Sequence, residues 1–382
     1  MPHKDTVMIC AGGTGGHMFP ALALAHDVIA RGCAVVFVTD DRGRKFIPDD
    51  IDALIEVIAA GTLPSGLVGK LKGAMNLALG YLKSRRIVSK YAPKIAIGFG
   101  GYPSLPPMMV AQHKQILTVI HEANAVLGKA NAYLAPKADR IALSLPDFSS
   151  LEEADAVRAV VTGNPVRSGI AALYAEPYMV PDVDAPFHIA VMGGSLGAKV
   201  MADIVPDALA SLAPDLKSRL SVVQQCHIED TAQVDEIYKG AGIAADIRPF
   251  IDDMPEVLKA SHLIIARSGA STVAEVSIAG VPAVYVPYPH HADMQQKVNA
   301  EIVSTKGGAW VMLENHFTPS ALAGRVESLM RSPETLFKAA EGARSCAKPE
   351  AGRKLGNLVV ALIKGWDKNA SKQYDYTQGH EG

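Results

Sequence analysis

The chain has 382 residues, 49% of them hydrophobic and 20% charged, which fits a folded globular protein and excludes a disordered or fibrous one. A formal charge of −2 gives no reason to expect a polyanion such as nucleic acid as partner, and no run of about 18 apolar residues is present to span a membrane. The length is too great for one ordinary core and fits two domains.

The start, "MPHKDTVMICAGG", lacks an apolar core of signal-peptide length. Short apolar runs then alternate with helix-like stretches. Strands are expected at 6–11, 34–39, 94–99, 116–121, 140–145 and 158–163, then at 187–193, 219–225, 245–250, 261–267, 282–287 and 309–313. Runs of this kind are buried parallel strands covered by helices on both faces. The alternation predicts α/β layers with right-handed crossovers. An echo divides the chain in two. "MICAGGTGGHMFPALALA" begins at Met8 and "IAVMGGSLGAKVMADIV" at Ile189, each reading strand, Gly-Gly-Thr/Ser-x-Gly, helix. Two Rossmann-like domains are expected, 1–163 and 164–349. A C-terminal helix at about 350–366 joins the first, and the polar tail 367–382 is expected to be disordered.

Four glycines fall within residues 12–16. The spacing is not that of a dinucleotide fingerprint, because Met18 stands where the last glycine belongs. Asp40 and Asp41, at the end of the next strand, keep a ribose-binding dinucleotide reading open. "GGSLGA" (193–198) and "RSGASTVAEVSIAG" (267–280) are two further loops that follow a strand and open a helix. Backbone N–H groups and the helix dipole at such starts favour phosphate. Three of them at strand ends point to a diphosphate. Glu275, one turn into the third helix, suits ribose hydroxyls. The amides of Gln295 and Gln296 suit sugar hydroxyls. No metal site stands out: "DVD" (182–184) lies in a proline-rich connector, and adjacent His290 and His291 diverge. Cys10, Cys33, Cys226 and Cys346 show no CxxC spacing and read as reduced thiols.

From Val57 to His121 there is no Asp or Glu, but there are eight Lys and Arg. Within it, 65–90 mixes Leu67, Leu71, Met75, Leu79 and Leu82 with Lys83, Arg85 and Arg86. This pattern predicts one or two amphipathic helices able to dock on an anionic membrane surface.

"AGGTGGHMFPALALA", "GFGGYPSLPP" (98–107), "HEANAVLGKAN" (121–131), "GNPVR" (163–167), "GGSLGA", "FIDDM" (250–254), "RSGASTVAE" and "QQKVNA" (295–300) together resemble the MurG family in type, order and spacing, over about residues 6–360. These are bacterial peptidoglycan transferases. The resemblance implies a GT-B fold, with two Rossmann-like domains whose parallel sheets face across a cleft. It implies inverting, metal-independent transfer of N-acetylglucosamine from UDP-N-acetylglucosamine to undecaprenyl-diphospho-muramoyl-pentapeptide (lipid I), giving lipid II. No cofactor is implied. It further implies a peripheral place on the cytoplasmic face of the inner membrane, with cell-wall and division proteins as partners. Carried residue by residue, it places uracil at the Ile251 backbone and the ribose at Glu275. The donor diphosphate falls to Ser195, Ala270, Ser271 and Thr272. Arg167 and Asn124 border the nucleotide sugar, Gln295 and Gln296 hold the sugar, and Thr14, Gly15 and Gly16 close over it. The acceptor diphosphate falls to Gly13, Gly15, Gly101 and Tyr102. The chain departs from the family at "QQCHIED" (224–230), where a His-Gln-small-Gly run is usual, and in a longer "VPYPHHADMQQ".

Inversion by direct displacement needs a base for the incoming hydroxyl. His17, beside the first glycine loop, is the first candidate because imidazole titrates near neutrality. Glu122 is the second. Two other classes stay open: a related UDP-sugar 2-epimerase or natural-product glycosyltransferase, and a non-catalytic nucleotide-sugar-binding protein that would tolerate loss of His17.

Overall fold

The computed structural model describes residues 5–59, 67–146, 151–194, 199–289, 294–365, 374–375 and 380–381, with side chains outside 67–72 and the last two pairs. The chain falls into two compact units, Met1–Arg167 with Glu350–Gly382, and Ser168–Pro349.

The first unit holds a seven-stranded parallel sheet: β1 (Thr6–Cys10), β2 (Ala34–Thr39), β3 (Leu54–Val57), β4 (Ile95–Gly98), β5 (Leu117–Glu122), β6 (Arg140–Leu143) and β7 (Ala159–Val161), in the order β3-β2-β1-β4-β5-β6-β7. Side chains alternate across a strand, so β1 feeds two cores. Val7 and Ile9 pack with the helices Gly15–Ala30 and Ala351–Ile363. Met8 and Cys10 pack on the other face with Ile87, Val88, Met108 and Leu134. Six of the seven strands are those expected. The seventh, β3, was not; it is a four-residue edge strand with Leu54 exposed and Glu56 within it, so its apolar signal is weak. The basic stretch folds as one helix, Leu67–Tyr91.

The second unit holds a six-stranded parallel sheet: β8 (Phe187–Met192), β9 (Leu220–Gln225), β10 (Ala244–Arg248), β11 (Leu263–Ala266), β12 (Ala283–Tyr285) and β13 (Ala309–Val311), in the order β10-β9-β8-β11-β12-β13. All six were expected. Of the tail, a two-residue antiparallel pairing of Tyr374–Asp375 with His380–Glu381 is described; the expectation of disorder otherwise falls outside the described residues.

In each sheet the strand order reverses once, between β1 and β4 and between β8 and β11. Loops leaving the carboxyl ends of such a pair diverge and open a crevice, where open α/β sheets bind ligands. The loops leaving β1, β8 and β11 are the three glycine loops.

The first switch point is braced from behind by the helix Ala351–Ile363 lying on Gly15–Ala30. Gly356 lets the helices meet: a Cβ there would stand 1.7 Å from Asp27 Oδ2. Asp27 instead accepts from Arg31 Nε at 2.6 Å, and Arg31 Nη1 donates to Asn357 Oδ1 at 2.6 Å. Gly356→Ala is expected to cost about 1–3 kcal/mol by overpacking, read as a Tm several degrees lower in thermal denaturation.

Candidate active site

The first loop is shaped by an acid that sequence reading assigned elsewhere. Asp40 ends β2 and is nearly buried. Its Oδ1 accepts from Gly13 N and Gly43 N, both at 2.9 Å, and its Oδ2 from Arg42 Nε at 3.1 Å. The carboxylate is spent on protein, so the dinucleotide reading of Asp40 fails; Asp41 only begins the short helix Asp41–Arg44. A residue of N-cap type three before Gly43 is the signal that would have revealed this. Gly13 carries a φ of 86°, which suits glycine, and its N–H is committed to Asp40. The expectation of Gly13 as an acceptor-diphosphate ligand therefore lacks its N–H donor, and its shape is what the loop keeps. Thr14 is the N-cap of the helix Gly15–Ala30 but its hydroxyl makes no capping bond.

Three loops converge around His17, which lies half-buried in the first turn of that helix. A Cβ on Gly101 would stand 3.3 Å from His17 Nδ1 and 3.4 Å from the Gly12 carbonyl. A Cβ on Gly100 would stand 3.5 Å from His17 Nε2 and 3.4 Å from Asn131 Nδ2. The φ values of 82° at Gly100 and 74° at Gly101 bend the loop after β4 around the imidazole. Tyr102 begins the 3-10 turn that follows. Nδ1 is buried and has no partner in hydrogen-bonding geometry. Burial holds His17 below its ordinary pKa, and the Glu122 carboxylate and Gly12 carbonyl offset part of that. Burial also pushes His121 down to about 4, with His17 adding to the shift and the Gly163 carbonyl opposing it. Its Nε2 lies 3.2 Å from that carbonyl.

Glu122 ends β5 with every acceptor position engaged. Oε1 accepts from Asn124 N at 3.0 Å and Asn124 Nδ2 at 3.1 Å; Oε2 accepts from Gly128 N at 2.9 Å and Asn131 Nδ2 at 2.8 Å. An ionised carboxylate offers about four lone-pair sites, so this one organises the loop 122–131. Asn131, which sequence reading missed, ties the network to the strand by a second bond to the His121 carbonyl at 3.0 Å. Arg167, at the end of the unit, stacks its guanidinium 4.5 Å over the Phe19 ring.

In the second unit the helix Ala270–Ala279 starts directly after the loop 267–269. Its N-cap, Gly269, has no side chain to cap with, so the start at Ala270, Ser271 and Thr272 presents backbone. Glu275 is nearly buried one turn on, and Ile251 is buried in the loop after β10. Ser268 Oγ donates to the Gln296 carbonyl at 2.7 Å and Asn299 Nδ2 to the Ser268 carbonyl at 3.2 Å, tying this helix start to the helix Gln295–Thr305. Gln296 Oε1 accepts from Tyr288 N at 3.0 Å, so that oxygen holds the loop 286–289. Arg267 is fixed by the Val286 and Pro287 carbonyls, both at 3.1 Å, and by Glu314 Oε2 at 2.5 Å. The departure at 224–230 costs two glutamines: Gln224 accepts from Tyr238 OH at 2.6 Å, and Gln225 donates to the Pro249 carbonyl at 3.3 Å. Ser195, His290 and His291 lie outside the described residues. Among the described residues no three His, Cys, Asp or Glu side chains gather as a metal site, and the four cysteines are free.

On the helix Leu67–Tyr91, Met75, Leu79 and Leu82 are 57%, 52% and 55% exposed. Their i, i+4, i+7 spacing puts them on one face. Lys83, Arg85 and Arg86 are exposed beside them, with Lys83 Nζ donating to the Val57 carbonyl at 2.5 Å. The side chains of Leu67 and Leu71 lie outside the described set. No helix among the described residues is long and apolar enough to cross a membrane.

The glycosyltransferase family 28 N-terminal domain matches residues 7–143 and the C-terminal domain of the same family matches 188–354. A UDP-N-acetylglucosamine–N-acetylmuramyl-(pentapeptide) pyrophosphoryl-undecaprenol N-acetylglucosamine transferase of Rhodospirillum centenum is 45% identical over 358 residues, 93% of each chain. Its namesake in Rhodospirillum rubrum is 42% identical over 93% of this chain and 91% of its own. The crystal structure of Acinetobacter baumannii MurG superimposes with a TM-score of 0.74 at 29% identity, over 93% of this chain and 99% of that one. With both halves matched in order and near-complete relatives at this identity, the chain belongs to glycosyltransferase family 28, among the MurG transferases.

Proposed function

We propose that this chain transfers N-acetylglucosamine from UDP-N-acetylglucosamine to lipid I, forming lipid II with inversion at the anomeric carbon and without a metal. One observation carries the reading: 45% identity over 93% of the chain to a transferase bearing that name. The site chemistry agrees with it. On this reading the second unit holds the donor. The helix start at Ala270, Ser271 and Thr272, with Ser195, receives the diphosphate, Glu275 the ribose, the Ile251 backbone the uracil, and Gln295 with the free end of the Gln296 amide the sugar. Arg167, Asn124, Thr14, Gly15 and Gly16 serve the same nucleotide sugar from the first unit. The acceptor diphosphate sits on the first glycine loop, at Gly15 and the Gly101–Tyr102 turn.

In the step itself, His17 takes the proton from the muramoyl C4 hydroxyl as that oxygen bonds to C1 of the donor sugar. The C1–O bond to phosphate breaks, and its electron pair leaves with UDP, whose charge is met by helix-start amides. His17 can do this because burial keeps it neutral. Glu122 acts through its field: with its lone pairs engaged, it stabilises the imidazolium that forms.

The exposed apolar and basic face of the helix Leu67–Tyr91 docks on the anionic leaflet that carries the lipid acceptor. Each basic residue at such a surface contributes about 1 kcal/mol.

Four outcomes are expected. Radiolabelled sugar passes from UDP-N-acetylglucosamine to a lipid I analogue with EDTA present; dependence on added divalent ions would contradict the metal-free reading. His17→Ala lowers kcat by roughly 100-fold or more with donor affinity nearly unchanged. The wild-type kcat/KM profile has an acid limb below the ordinary imidazole value of 6.5, because activity needs the neutral ring and burial lowers its pKa in the free enzyme. Equal loss of kcat and donor affinity would make His17 structural. Flotation with anionic liposomes recovers the wild-type chain and loses it on Lys83/Arg85/Arg86 charge reversal; recovery indifferent to the reversal would rule this face out.

A further inference from the structure

The first glycine loop carries one cation that the mechanism above leaves unused. Arg42 is tethered by its Nε to Asp40 Oδ2, and Asp40 is itself fixed by the Gly13 and Gly43 amides. The tether aims the guanidinium at the loop: Nη2 lies 3.5 Å from where a side chain on Gly13 would begin. The Arg42 side chain is 54% exposed. Among the described residues, Nε is its one hydrogen-bonded nitrogen, which leaves Nη1 and Nη2 without a protein acceptor. An exposed ion pair of this kind adds little stability. Asp40 already has two backbone donors and does not depend on Arg42 for its place. The arrangement therefore does more for the direction of the arginine than for the fold.

We propose that Arg42 is a binding residue for the acceptor's diphosphate. Its terminal nitrogens take phosphate oxygens above the start of the helix Gly15–Ala30, and Asp40 positions it. A guanidinium presents parallel N–H groups that match two phosphate oxygens at once. Asp40 does not repel such a ligand strongly, because it is nearly buried and each of its oxygens is hydrogen-bonded. Helix-start amides and fork thus address one anion from two directions. The inference rests on the reading of the first glycine loop as the seat of that diphosphate.

Steady-state transfer from UDP-N-acetylglucosamine to a short-chain lipid I analogue tests it. Arg42→Ala is expected to raise KM for the analogue about tenfold, the size of one charge-assisted contact, with donor KM within about twofold. Arg42→Lys, which keeps the charge but not the fork, falls between. Geranyl diphosphate should inhibit the wild type, and inhibit Arg42→Ala about tenfold more weakly, while geranyl monophosphate loses less. Asp40→Asn keeps an oxygen for the two amides but can no longer accept from Arg42 through its second oxygen. It should shift analogue KM in the same direction. An unchanged analogue KM in an active Arg42→Ala enzyme, or a rise in donor KM instead, overturns the assignment of Arg42 alone. A wild-type chain inert toward the analogue overturns the functional reading beneath it, and the assignment with it.

Discussion

The proposed site depends on two helix starts whose N-cap residues make no side-chain capping bond. A helix begins with backbone N–H groups that its own turns cannot satisfy, and proteins usually cover one with a Ser, Thr, Asp or Asn side chain worth about 1 kcal/mol. Among the α-helices whose caps are described, only Asp40 and Thr318 make that bond, so the helix starts at the switch points share an uncapped start with most of the others. Thr14 stands at the cap of Gly15–Ala30 without bonding back, and Gly269 at the cap of Ala270–Ala279 has nothing to bond with. The first loop must still be rigid, or its amides would be scattered. Asp40 supplies the rigidity from behind by taking the Gly13 N–H, and Thr14 N donates to the Gly12 carbonyl at 3.2 Å. Gly12 is needed for that proximity, since a Cβ would stand 2.7 Å from both Asp40 Oδ1 and Pro103 Cβ.

Beside this loop two opposed effects act on His17, and burial is the larger, since the net shift is downward. Burial disfavours the imidazolium; the Glu122 carboxylate favours it. A base needs both. The first keeps the lone pair available before reaction, and the second lowers the cost of the charge as the proton arrives. On the proposed reading Glu122 supplies its field while four donors engage its oxygens. His121, held neutral by burial, adds no positive charge to oppose the imidazolium.

The fold was legible because buried parallel strands advertise themselves as apolar runs. Twelve of the thirteen strands in the two parallel sheets were expected; β3 was not, being four residues long with Leu54 exposed and Glu56 within it, and edge position alone does not hide a strand, since the part-exposed edge strand β10 was expected. The site was legible where chemistry repeats a pattern, as in the glycine loops and the basic helix. It was illegible where function depends on which partner a side chain finds. Asp40 has the sequence position of a ribose ligand and the contacts of a loop anchor. Glu122 has the chemistry of a base and the contacts of a scaffold. Gln296 reads as a sugar ligand, yet one end of its amide holds Tyr288 N. Hydrogen-bond partners distant in sequence, such as Asn131 Nδ2 for Glu122 and Gly13 N for Asp40, leave no periodicity to detect.

The two-sheet architecture suits the charges of the proposed substrates. On the proposed reading the reaction handles two diphosphates, one in the departing nucleotide and one anchoring the acceptor to its lipid. A parallel sheet of this type has one reversal of strand order, hence one crevice with helix starts aimed into it. Two anionic groups forced into one such crevice would repel by about 4 kcal/mol per pair of unit charges 4 Å apart at an effective dielectric of 20, and would compete for the same few amides. Giving each diphosphate its own sheet removes both problems.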